Sequence, residues 1–362
     1  MKILVINLIM YTSETNGIAR QDSIKDTMIY DFCLAFYEAG HDVTLIASEP
    51  FKPRCEEKYP FKILWFNCII GKIFPQNRIP FIPGLRRYIK NNRESFDMII
   101  SKEIFSLASL TAYRNSPKKV IVWHELAKHN KLLKKIPSKI WYNIVARFFM
   151  RNVKVIACSN EAKEFIRQYC RNTGDIVIDH GVNLNKFIPV ERKENCFAVL
   201  SRLIESKRID GILEKFAAFL NRYKLNYCLY IMGEGVLLNQ LREKVDELKI
   251  KENVIFTMKL EHDKAIPILA KSKALLVNTV KDNNMISIIE SIAVGTPIVT
   301  TDVPLNASYI KEFELGIAKP SWNEEDLHYV VEENEKYVNN CLEYRGKIST
   351  DHKVEQFMEL IR

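Results

Sequence analysis

The sequence predicts two doubly wound α/β domains, each built on a parallel β-sheet. Three observations support this fold class. The chain has 362 residues, and a single hydrophobic core stops growing near ~250–300 residues. Short apolar runs alternate with amphipathic stretches along the whole chain. The apolar runs are nearly continuous, which is typical of strands that are covered by helices on both faces.

The strands and helices of the first domain follow in order from the N-terminus. The apolar run Ile3–Ile9 predicts the first strand, apolar residues at helical spacing follow it, and Val43–Ala47 predicts the second strand. Three later apolar runs predict further strands, at Met98–Ile100, Val120–Trp123 and Val155–Cys158. Residues 171–175 are polar and turn-prone, and we expect a domain linker near residues 180–195.

The same alternation begins again after the linker. Five apolar runs predict strands, at Cys196–Leu200, Tyr227–Met232, Val254–Phe256, Ala274–Val277 and Ile298–Thr300. Four amphipathic stretches predict helices near residues 209–220, 237–248, 263–271 and 286–294. We therefore expect a first domain at residues 1–185 and a second at 186–346. A last helix within 347–362 should return to the first domain with its apolar side chains, Val354, Phe357, Met358 and Ile361.

Composition excludes several classes of protein. With 47% hydrophobic and 27% charged residues, 12 Gly and 13 Pro, the chain is not disordered or collagen-like. No run reaches the ~20 apolar residues that cross a bilayer. The apolar N-terminus lacks a cleavage pattern and is interpreted as a strand rather than a signal peptide. Eight scattered Cys without a C-x-x-C pair favour the reducing cytoplasm.

The net charge of +9 is unevenly distributed. Residues 1–190 hold 29 Lys and Arg against 17 Asp and Glu, whereas residues 191–362 hold 24 against 27. Such asymmetry between halves is typical of proteins whose basic half binds an anionic membrane or a nucleic acid.

One basic segment stands out in the first half. From Ala127 to Lys154 there are eight cations and no acid, interleaved with apolar residues at helical spacing. We expect a membrane or acceptor face formed by Arg86, Arg87, Lys128, Lys131, Lys134 and Lys135. The alternative is a helix that packs on its own sheet and turns a solvated basic face outward.

Two residues of the first domain are candidates for ligand contacts. Gly17 lies where the chain turns from the first strand towards a helix, although an ordinary turn glycine explains it equally. His124 directly follows the strand Val120–Trp123, at the carboxyl edge where open α/β sheets bind ligands. A histidine at the surface or at the edge of the core is the alternative.

The second domain carries more such residues. Arg202 and Lys207 lie between a strand and a helix, where two cations would flank a diphosphate. Gly233 and Gly235 follow the next strand and permit close backbone approach. Asp282 lies in a loop, and Glu290 lies eight residues later inside an apolar helix that ends in Gly-Thr-Pro. A carboxylate in such a helix needs hydrogen-bond donors, and sugar hydroxyls are suitable donors.

Taken together, these residues resemble the GT-B-fold retaining glycosyltransferases, which carry two acidic residues eight apart before an Ala-x-Gly-Thr-Pro-Val-like segment. Here that segment is Asp282–Val299. The resemblance extends over the whole chain through Gly17, His124, Ser201-Arg202-Leu203 with Lys207, and Gly233-Glu234-Gly235. It implies two Rossmann-like domains facing across a cleft, an N-terminal acceptor domain and a C-terminal domain that binds a nucleotide sugar.

The resemblance also implies roles for single residues. Arg202 and Lys207 would bind the donor diphosphate, Asp282 the sugar hydroxyls, Glu290 the ribose, and His124 the transferred sugar. Gly17 would lie against the phosphates. The remaining donor-binding candidates are Gly233, Asn283, Asn284, Met285, Ile286 and Ser287. The sequence departs from the family pattern where Asp282 replaces the usual Glu, where Asn-Asn-Met replaces Gly-Phe-Gly, and where Arg208 replaces a glycine.

The expected activity is therefore transfer of a hexose or N-acetylhexosamine, with retention, from a nucleotide sugar with a UDP base to a saccharide or lipid-linked saccharide of a bacterial surface polysaccharide. No cofactor or metal is expected, since the nucleotide sugar is a substrate. We expect the protein at the inner face of the cell membrane and not on nucleic acid. The alternatives are a nucleotide-sugar epimerase or hydrolase of the same fold, and a nucleic-acid-binding protein that uses the basic half.

Overall fold

The computed structural model of the chain describes residues 1–11, 18, 20–282 and 284–360. These residues form two compact units. The first comprises Met1–Gly181 together with Thr350–Arg362, and the second is Val182–Ser349. The sequence-based borders are residues 185 and 346. Gly17, Asn283 and Ile361 lie outside the described residues.

The first unit is built on a parallel sheet of seven strands in the order β3-β2-β1-β4-β5-β6-β7. The strands are β1 Lys2–Ile6, β2 Asp42–Ser48, β3 Lys62–Phe66, β4 Met98–Lys102, β5 Val120–His124, β6 Lys154–Ala157 and β7 Thr173–Val177. This order is doubly wound: the chain leaves β1 towards one edge and returns through β4 towards the other.

Helices cover both faces of this sheet. They are α1 Met28–Glu38, α2 Gly84–Asn92, α3 Leu107–Asn115, α4 Ile136–Ile140 with its π-helical continuation Trp141–Phe149, α5 Asn160–Arg167 and, from the end of the chain, Thr350–Glu359. One hydrophobic cluster contains side chains of α1 and of Thr350–Glu359. A second cluster, on the opposite face, contains side chains of α2, α3, α5 and Trp141–Phe149. Short 3₁₀ turns lie at Glu49–Phe51, Arg93–Ser95 and Leu132–Lys135.

The last helix is part of the core of the first unit. The ring of Phe357 lies 5.3 Å from the rings of both Phe32 and Trp123, at steep angles. Phe357 and Val354 are buried, and Met358 packs against the same cluster. The apolar spacing seen in the sequence therefore faces α1 and the sheet.

The second unit repeats this architecture with six parallel strands in the order β10-β9-β8-β11-β12-β13. The strands are β8 Cys196–Leu200, β9 Cys228–Met232, β10 Val254–Met258, β11 Ala274–Leu276, β12 Ile298–Thr301 and β13 Gly316–Lys319. The helices are α6 Ile209–Tyr223, α7 Leu238–Glu247, α8 His262–Lys271, α9 Ile286–Ala293, α10 Ala307–Glu312, α11 Glu324–Glu332 and α12 Asn334–Tyr344, which makes Thr350–Glu359 α13. Two hydrophobic clusters again lie on opposite faces of the sheet. Short 3₁₀ turns lie at Leu184–Lys186, Glu205–Lys207, Lys251–Asn253 and Arg345–Ile348.

The structure confirms the predicted fold class of two Rossmann-like doubly wound sheets. The sequence analysis missed three strands, β3, β7 and β13, and took the residues just before and within β7 as a turn. All three lie at sheet edges. β7 is polar and partly exposed, and β13 has only two buried residues. β3, Lys62–Phe66, is half-buried although four of its five residues are apolar. No helix among the described residues is both long and apolar enough to span a bilayer.

Candidate functional site

The carboxyl edge of the second sheet brings together two residues that lie 75 positions apart. The chain order reverses between β8 and β11, and such a switch point is where open α/β sheets bind ligands. The loop after β8 contains Lys207, and the loop after β11 contains Asp282. The Nζ of Lys207 donates to Oδ2 of Asp282, with 13% and 22% of the two side chains exposed. Two predicted site residues thus form one ion pair.

Backbone and hydroxyl contacts hold these two loops against each other. The backbone N–H of Val280 donates to the carbonyl of Ser206 over 2.9 Å. The hydroxyl of Thr279, which is buried, donates to the same carbonyl over 3.0 Å. Because both contacts end on the residue before Lys207, they fix the position of that lysine relative to Asp282.

Arg208 adopts a backbone conformation that normally favours glycine. Its φ is +48°, in the left-handed region, where a Cβ atom raises the energy of the backbone. Its carbonyl accepts a hydrogen bond of 3.1 Å from the side-chain amide of Asn278. The departure from the family's glycine at this position is therefore a strained turn directly beside Lys207.

The two glycines after β9 pack against protein backbone. A Cβ atom on Gly233, whose φ is +155°, would lie 1.9 Å from the carbonyl oxygen of Ser201. One on Gly235 would lie 2.2 Å from the carbonyl oxygen of Leu203. The N–H of Leu203 also donates to the carbonyl of Glu234 over 2.9 Å. The glycines thus allow this loop to support the loop that carries Arg202 and Lys207.

Glu290 lies in α9 and is 9% exposed. The Nε2 of His262 lies 2.9 Å from its Oε1. His262 begins α8, and its ring stands edge-on against Phe187 at 5.4 Å. Glu290 was predicted from the sequence, whereas His262 was not; the signal for His262 is its place at the first turn of a helix that follows a strand. The imidazole provides the hydrogen bond that a buried carboxylate needs.

The loop between Asp282 and α9 is held by a buried asparagine that sequence analysis also missed. The N–H of Met285 donates to Oδ1 of Asn306 over 2.7 Å, and the amide of Asn306 donates back to the carbonyl of Met285 over 3.2 Å. Met285 and Ser287 are buried, Asn284 is half-buried and Ile286 is exposed. The side chain of Arg202 is exposed at the same edge.

His124 is placed differently from the sequence-based expectation. It ends β5 as predicted, but its side chain has no exposed surface. Its Nδ1 lies 3.1 Å from Oε2 of Glu103, and its ring stacks nearly parallel to Phe165 at 6.3 Å. Glu103 has a left-handed backbone, with φ +66°, and this turn carries its carboxylate to the imidazole.

The basic segment of the first unit shows both faces that the sequence left open. Arg86 and Arg87 on α2 are exposed, and so are Lys128, Lys131, Lys134 and Lys135. Tyr142 is buried against the sheet, with Trp141 packed beside it. Along the same helix, however, every fourth residue is apolar and exposed: Ile136 57%, Ile140 54%, Ile144 50% and Phe148 72%. We call these four residues the apolar stripe.

Comparison with family models assigns both units. A model described as "Glycosyl transferases group 1" matches residues 183–343, and one described as "Glycosyltransferase Family 4" matches residues 26–186. Among characterised relatives, the chain is 25% identical over 225 residues to an alpha-monoglucosyldiacylglycerol synthase of Streptococcus pneumoniae, with 53% of this chain and 50% of the relative covered. It is 24% identical over 171 residues to the O-antigen chain mannosyltransferase RfbU of Salmonella typhimurium, with 46% and 48% covered. The chain thus spans about half the length of these relatives.

Solved structures share the fold over nearly the full length. Anabaena HepE in complex with UDP and glucose aligns with a TM-score of 0.65 at 14% identity, covering 100% of this chain and 99% of that one. The lipopolysaccharide outer core galactosyltransferase WaaB aligns with a TM-score of 0.63 at 15% identity, again covering 100% and 99%. Staphylococcus aureus TarM in complex with fondaparinux, alpha-GlcNAc-glycerol and UDP aligns with a TM-score of 0.63 at 12% identity over 100% and 99%. These similarities show the GT-B fold.

Proposed function

The chain belongs to the group 1 glycosyltransferases, and on this premise we propose that it transfers a hexose or N-acetylhexosamine, with retention and without a metal, from a UDP-linked donor to a saccharide or lipid-linked saccharide. One observation carries the proposal. Lys207 and Asp282 meet at the switch point of the second sheet, where an α/β domain binds a nucleotide.

The ion pair of Lys207 and Asp282 suits a site that exchanges one partner for a substrate. A diphosphate that approaches Lys207 competes with the Asp282 carboxylate, which becomes available to accept hydrogen bonds from sugar hydroxyls. Arg202, exposed at the same edge, supplies a second cation. Fixed cations stabilise the charge that develops on the leaving nucleoside diphosphate as the glycosidic bond breaks.

The other residues proposed to contact the donor are assigned from their places around the Lys207–Asp282 pair. Glu290 uses Oε1 for His262, and its other oxygen accepts hydrogen bonds from the ribose hydroxyls. Gly233 shapes the loop that supports Arg202. The candidates Asn284, Met285, Ile286 and Ser287 lie at the N-terminal end of α9, where Asn284 and Ile286 are accessible to the sugar and the buried Met285 and Ser287 support that turn. Gly17 and Asn283 lie outside the described residues. His124 was expected to bind the transferred sugar; because its side chain is buried with Nδ1 3.1 Å from Oε2 of Glu103, we propose instead that it positions the Glu103 carboxylate.

In this mechanism the donor itself supplies the base. The acceptor hydroxyl attacks the same face from which the nucleoside diphosphate departs, its oxygen bonds to the anomeric carbon, and its proton passes to the departing phosphate. The two-carboxylate scheme of glycoside hydrolases is not used, because Asp282 and Glu290 are assigned to binding. No metal or cofactor takes part, so activity should persist in EDTA.

The relatives support this choice of substrates. HepE and TarM were crystallised with UDP, which favours a UDP-linked donor here. The named relatives are a glucosyldiacylglycerol synthase and an O-antigen mannosyltransferase, which favours a lipid-linked or surface-polysaccharide acceptor.

We propose further that the first unit rests on the cytoplasmic face of an anionic membrane. The apolar stripe exposes four large side chains, and exposed cations lie on the same segment at Lys131, Lys134 and Lys135. An apolar strip flanked by cations is the pattern of helices that lie in an anionic leaflet, where each cation contributes roughly 1 kcal/mol. A nucleic-acid backbone offers the stripe no apolar partner, so the stripe favours a membrane.

A thermal-shift panel tests the donor assignment. UDP, GDP and their sugars are added to the wild type and to the Lys207→Ala variant, with Lys251→Ala as an exposed-lysine control. A nucleotide at ~100 times its dissociation constant adds about 2.7 kcal/mol of stability. We expect stabilisation by UDP compounds in the wild type and the control only. Stabilisation by GDP alone would contradict uracil as the base of the donor. No stabilisation by any nucleotide would contradict the proposed transferase activity.

Product analysis separates transfer from its alternatives. A labelled UDP-α-sugar should give an α-linked glycoside in the NMR spectrum of the product. A β-linked product would contradict retention, whereas free sugar or an epimerised nucleotide sugar alone would indicate the hydrolase or epimerase.

Vesicle flotation tests the membrane assignment. We expect the wild type to float with phosphatidylglycerol vesicles at low salt. Ile140→Ser with Phe148→Ser, and Lys131→Glu with Lys134→Glu and Lys135→Glu, should abolish flotation. Ile188→Ser removes an equally exposed apolar residue of the second unit and should change nothing. Equal flotation of all variants, or salt-sensitive retention on RNA instead of vesicles, would contradict the assignment.

A further inference from the structure

The carboxyl edge of the first sheet carries a charged cluster that the proposed donor site does not use. Lys102 is the last residue of β4, Glu125 directly follows β5, and His180 lies three residues after β7. Parallel strands bring their carboxyl ends to one edge of a sheet, and that edge is where α/β domains bind ligands. Up to 78 positions of sequence separate these three side chains.

The three groups meet on one oxygen atom of Glu125. The Nζ of Lys102 lies 3.6 Å and the Nε2 of His180 lies 3.3 Å from Oε2 of Glu125, and the two nitrogens are 3.3 Å apart. The side chains of Lys102 and His180 are 16% and 18% exposed, whereas that of Glu125 is 58% exposed. Its other oxygen, Oε1, has no hydrogen-bond partner within the described part of the chain.

The two partners are themselves fixed by an aromatic ring. The ammonium of Lys102 lies 3.9 Å from the centre of the Trp123 ring, and the His180 ring lies 4.7 Å from the same ring. Trp123 is 2% exposed and donates its indole N–H to the carbonyl of Ile178 over 2.7 Å. The cluster therefore stands on the packed core rather than on mobile surface side chains.

The backbone of Glu125 is also held in place. The carboxylate of Glu103 accepts the N–H groups of Glu125 and Leu126, over 2.5 and 3.1 Å. Glu103 reaches them from a left-handed backbone, with φ +66°, which is strained for a residue with a side chain. Strain of this kind persists where a site needs a fixed geometry.

The charge state of Glu125 decides whether its carboxylate acts as a general base or binds hydroxyl groups. The ammonium of Lys102, together with His180, holds the pKa of Glu125 well below its usual range. Such a carboxylate stays ionised and is a poor proton acceptor, because an effective general base has a pKa close to the working pH. An ionised carboxylate instead accepts hydrogen bonds from neutral donors such as sugar hydroxyls.

We propose that Oε1 of Glu125 binds a hydroxyl group of the saccharide acceptor, while Lys102 and His180 hold the carboxylate in position through Oε2. The proposal rests on the proposed transferase function and assigns part of its acceptor site. Glu125 touches the acceptor, and Lys102 and His180 are positioning residues. None of them takes up the proton, which leaves with the departing phosphate.

The test separates acceptor binding from the donor site. Octyl glycosides of glucose, galactose, mannose and N-acetylglucosamine serve as acceptors with a UDP-sugar donor. In Glu125→Gln we expect the KM for the glycoside to rise at least tenfold, while kcat, the KM for the donor and acceptor-free donor hydrolysis stay within twofold of wild type. Glu164→Gln, another exposed carboxylate paired with a cation, is the matched control and should behave as wild type.

A second pair of variants tests positioning. Lys102→Met should raise the KM for the glycoside as Glu125→Gln does, and Lys102→Arg should restore it, because arginine keeps the cation beside Oε2. Melting temperatures identify a variant that fails to fold. Lys102→Arg as impaired as Lys102→Met would contradict the positioning role of Lys102.

The remaining outcomes distinguish a failure of the Glu125 assignment from a failure of the proposed function. A fall in kcat without a change in the glycoside KM in Glu125→Gln would make Glu125 a proton acceptor and overturn the binding role. Glu125→Gln indistinguishable from Glu164→Gln in an active enzyme would overturn this inference alone. A wild type that binds UDP-sugar but transfers to no glycoside would contradict a saccharide acceptor, and one that binds no nucleotide would overturn the proposed function itself.

Discussion

The two sheets have the same order of strands except for the additional edge strand β7 in the first, but different residues lie at their carboxyl edges. In the second unit, Lys207 and Asp282 form a half-buried ion pair, and Glu290 is buried against His262. In the first unit, His124 is fully buried, and the exposed carboxylate is that of Glu125, which half-buried Lys102 and His180 contact. Under the two proposals, the edge of the second unit binds the donor diphosphate through its cations, and the edge of the first unit binds acceptor hydroxyl groups through an ionised carboxylate.

Removing a cation from the carboxyl edge of the second sheet should cause the greatest loss of turnover. Lys207→Ala and Arg202→Ala should each lower kcat by roughly two orders of magnitude or more at saturating donor, because each removes a cation at developing charge. The control Lys251→Ala removes an exposed lysine and should keep the kcat of the wild type. Steady-state kinetics measure the effect, with melting temperatures as a check on folding. Wild-type turnover by the Lys207 and Arg202 variants would remove the phosphate assignment.

The first edge also has a lysine that is paired with a carboxylate, and we expect a different kinetic effect from its removal. Lys102→Met removes a half-buried lysine that is also paired with a carboxylate, yet we expect it to change the KM of the acceptor and not kcat. If Lys102→Met instead lowered kcat as strongly as Lys207→Ala, the two edges would not differ in role.

A smaller effect is expected at the buried carboxylate of the second edge. Glu290→Gln and His262→Asn should each raise the KM of the donor about tenfold. Because the two side chains contact each other at 2.9 Å, the double variant should be no worse than the more impaired single variant. Fully additive losses in this double-mutant cycle would mean that His262 does not act through Glu290.

The sequence predicted the second edge better than the first, and the reason is physical. Asp282, Glu290 and the Gly-Thr-Pro turn lie within one continuous segment, so the resemblance to the family's motif is visible in the sequence. The cluster of the first edge joins Lys102, Glu125 and His180 from three strand ends. Only the strand order brings them together, and a single sequence does not state which strands are neighbours.

The burial of His124 was not predictable for a related reason. Its place after an apolar strand correctly indicated the edge of the sheet. Its orientation depends on Glu103, which reaches it through a left-handed turn. The sequence does not indicate this turn, because the left-handed residue is neither glycine nor asparagine. The edge strand β7 is polar and β13 offers only two buried apolar residues, so neither carries the apolar signal of the buried strands. The edge strand β3 does contain an apolar run, and the sequence-based assignment left it out.

Lys193 of the second unit is half-buried, unlike the exposed lysines of the first unit's basic segment. Lys193 donates to Ala270 and Thr296 over 2.5 and 2.8 Å, and burial lowers the pKa of its ammonium to about 8. Above that pKa the unfolded chain binds more protons at this group than the folded chain does, so the free energy of unfolding gains a contribution as pH rises from about 8 towards 10.4.

Urea unfolding of the wild type and Lys193→Met measures this contribution. Between pH 7.5 and 9.5 the difference in unfolding free energy should shift in favour of the wild type by about 1 to 2 kcal/mol. Lys131→Met, which removes an exposed lysine of the first unit, should show no such shift. A difference that stays constant with pH would mean that Lys193 is not desolvated in the folded protein.

The smallest effect distinguishes two strained turns, one at each edge. Arg208 and Glu103 both have left-handed backbones, with φ +48° and +66°, and glycine relieves such strain whereas alanine keeps it. Arg208→Gly should therefore be more stable than Arg208→Ala by about 1 kcal/mol.

Glu103→Gly relieves the same strain but leaves the N–H groups of Glu125 and Leu126 without their acceptor, so it should be less stable than wild type by roughly 1 to 3 kcal/mol. Chemical denaturation measures both. A Glu103→Gly variant as stable as wild type would mean that this turn is a tolerated irregularity, and that the backbone of Glu125 is held by other contacts.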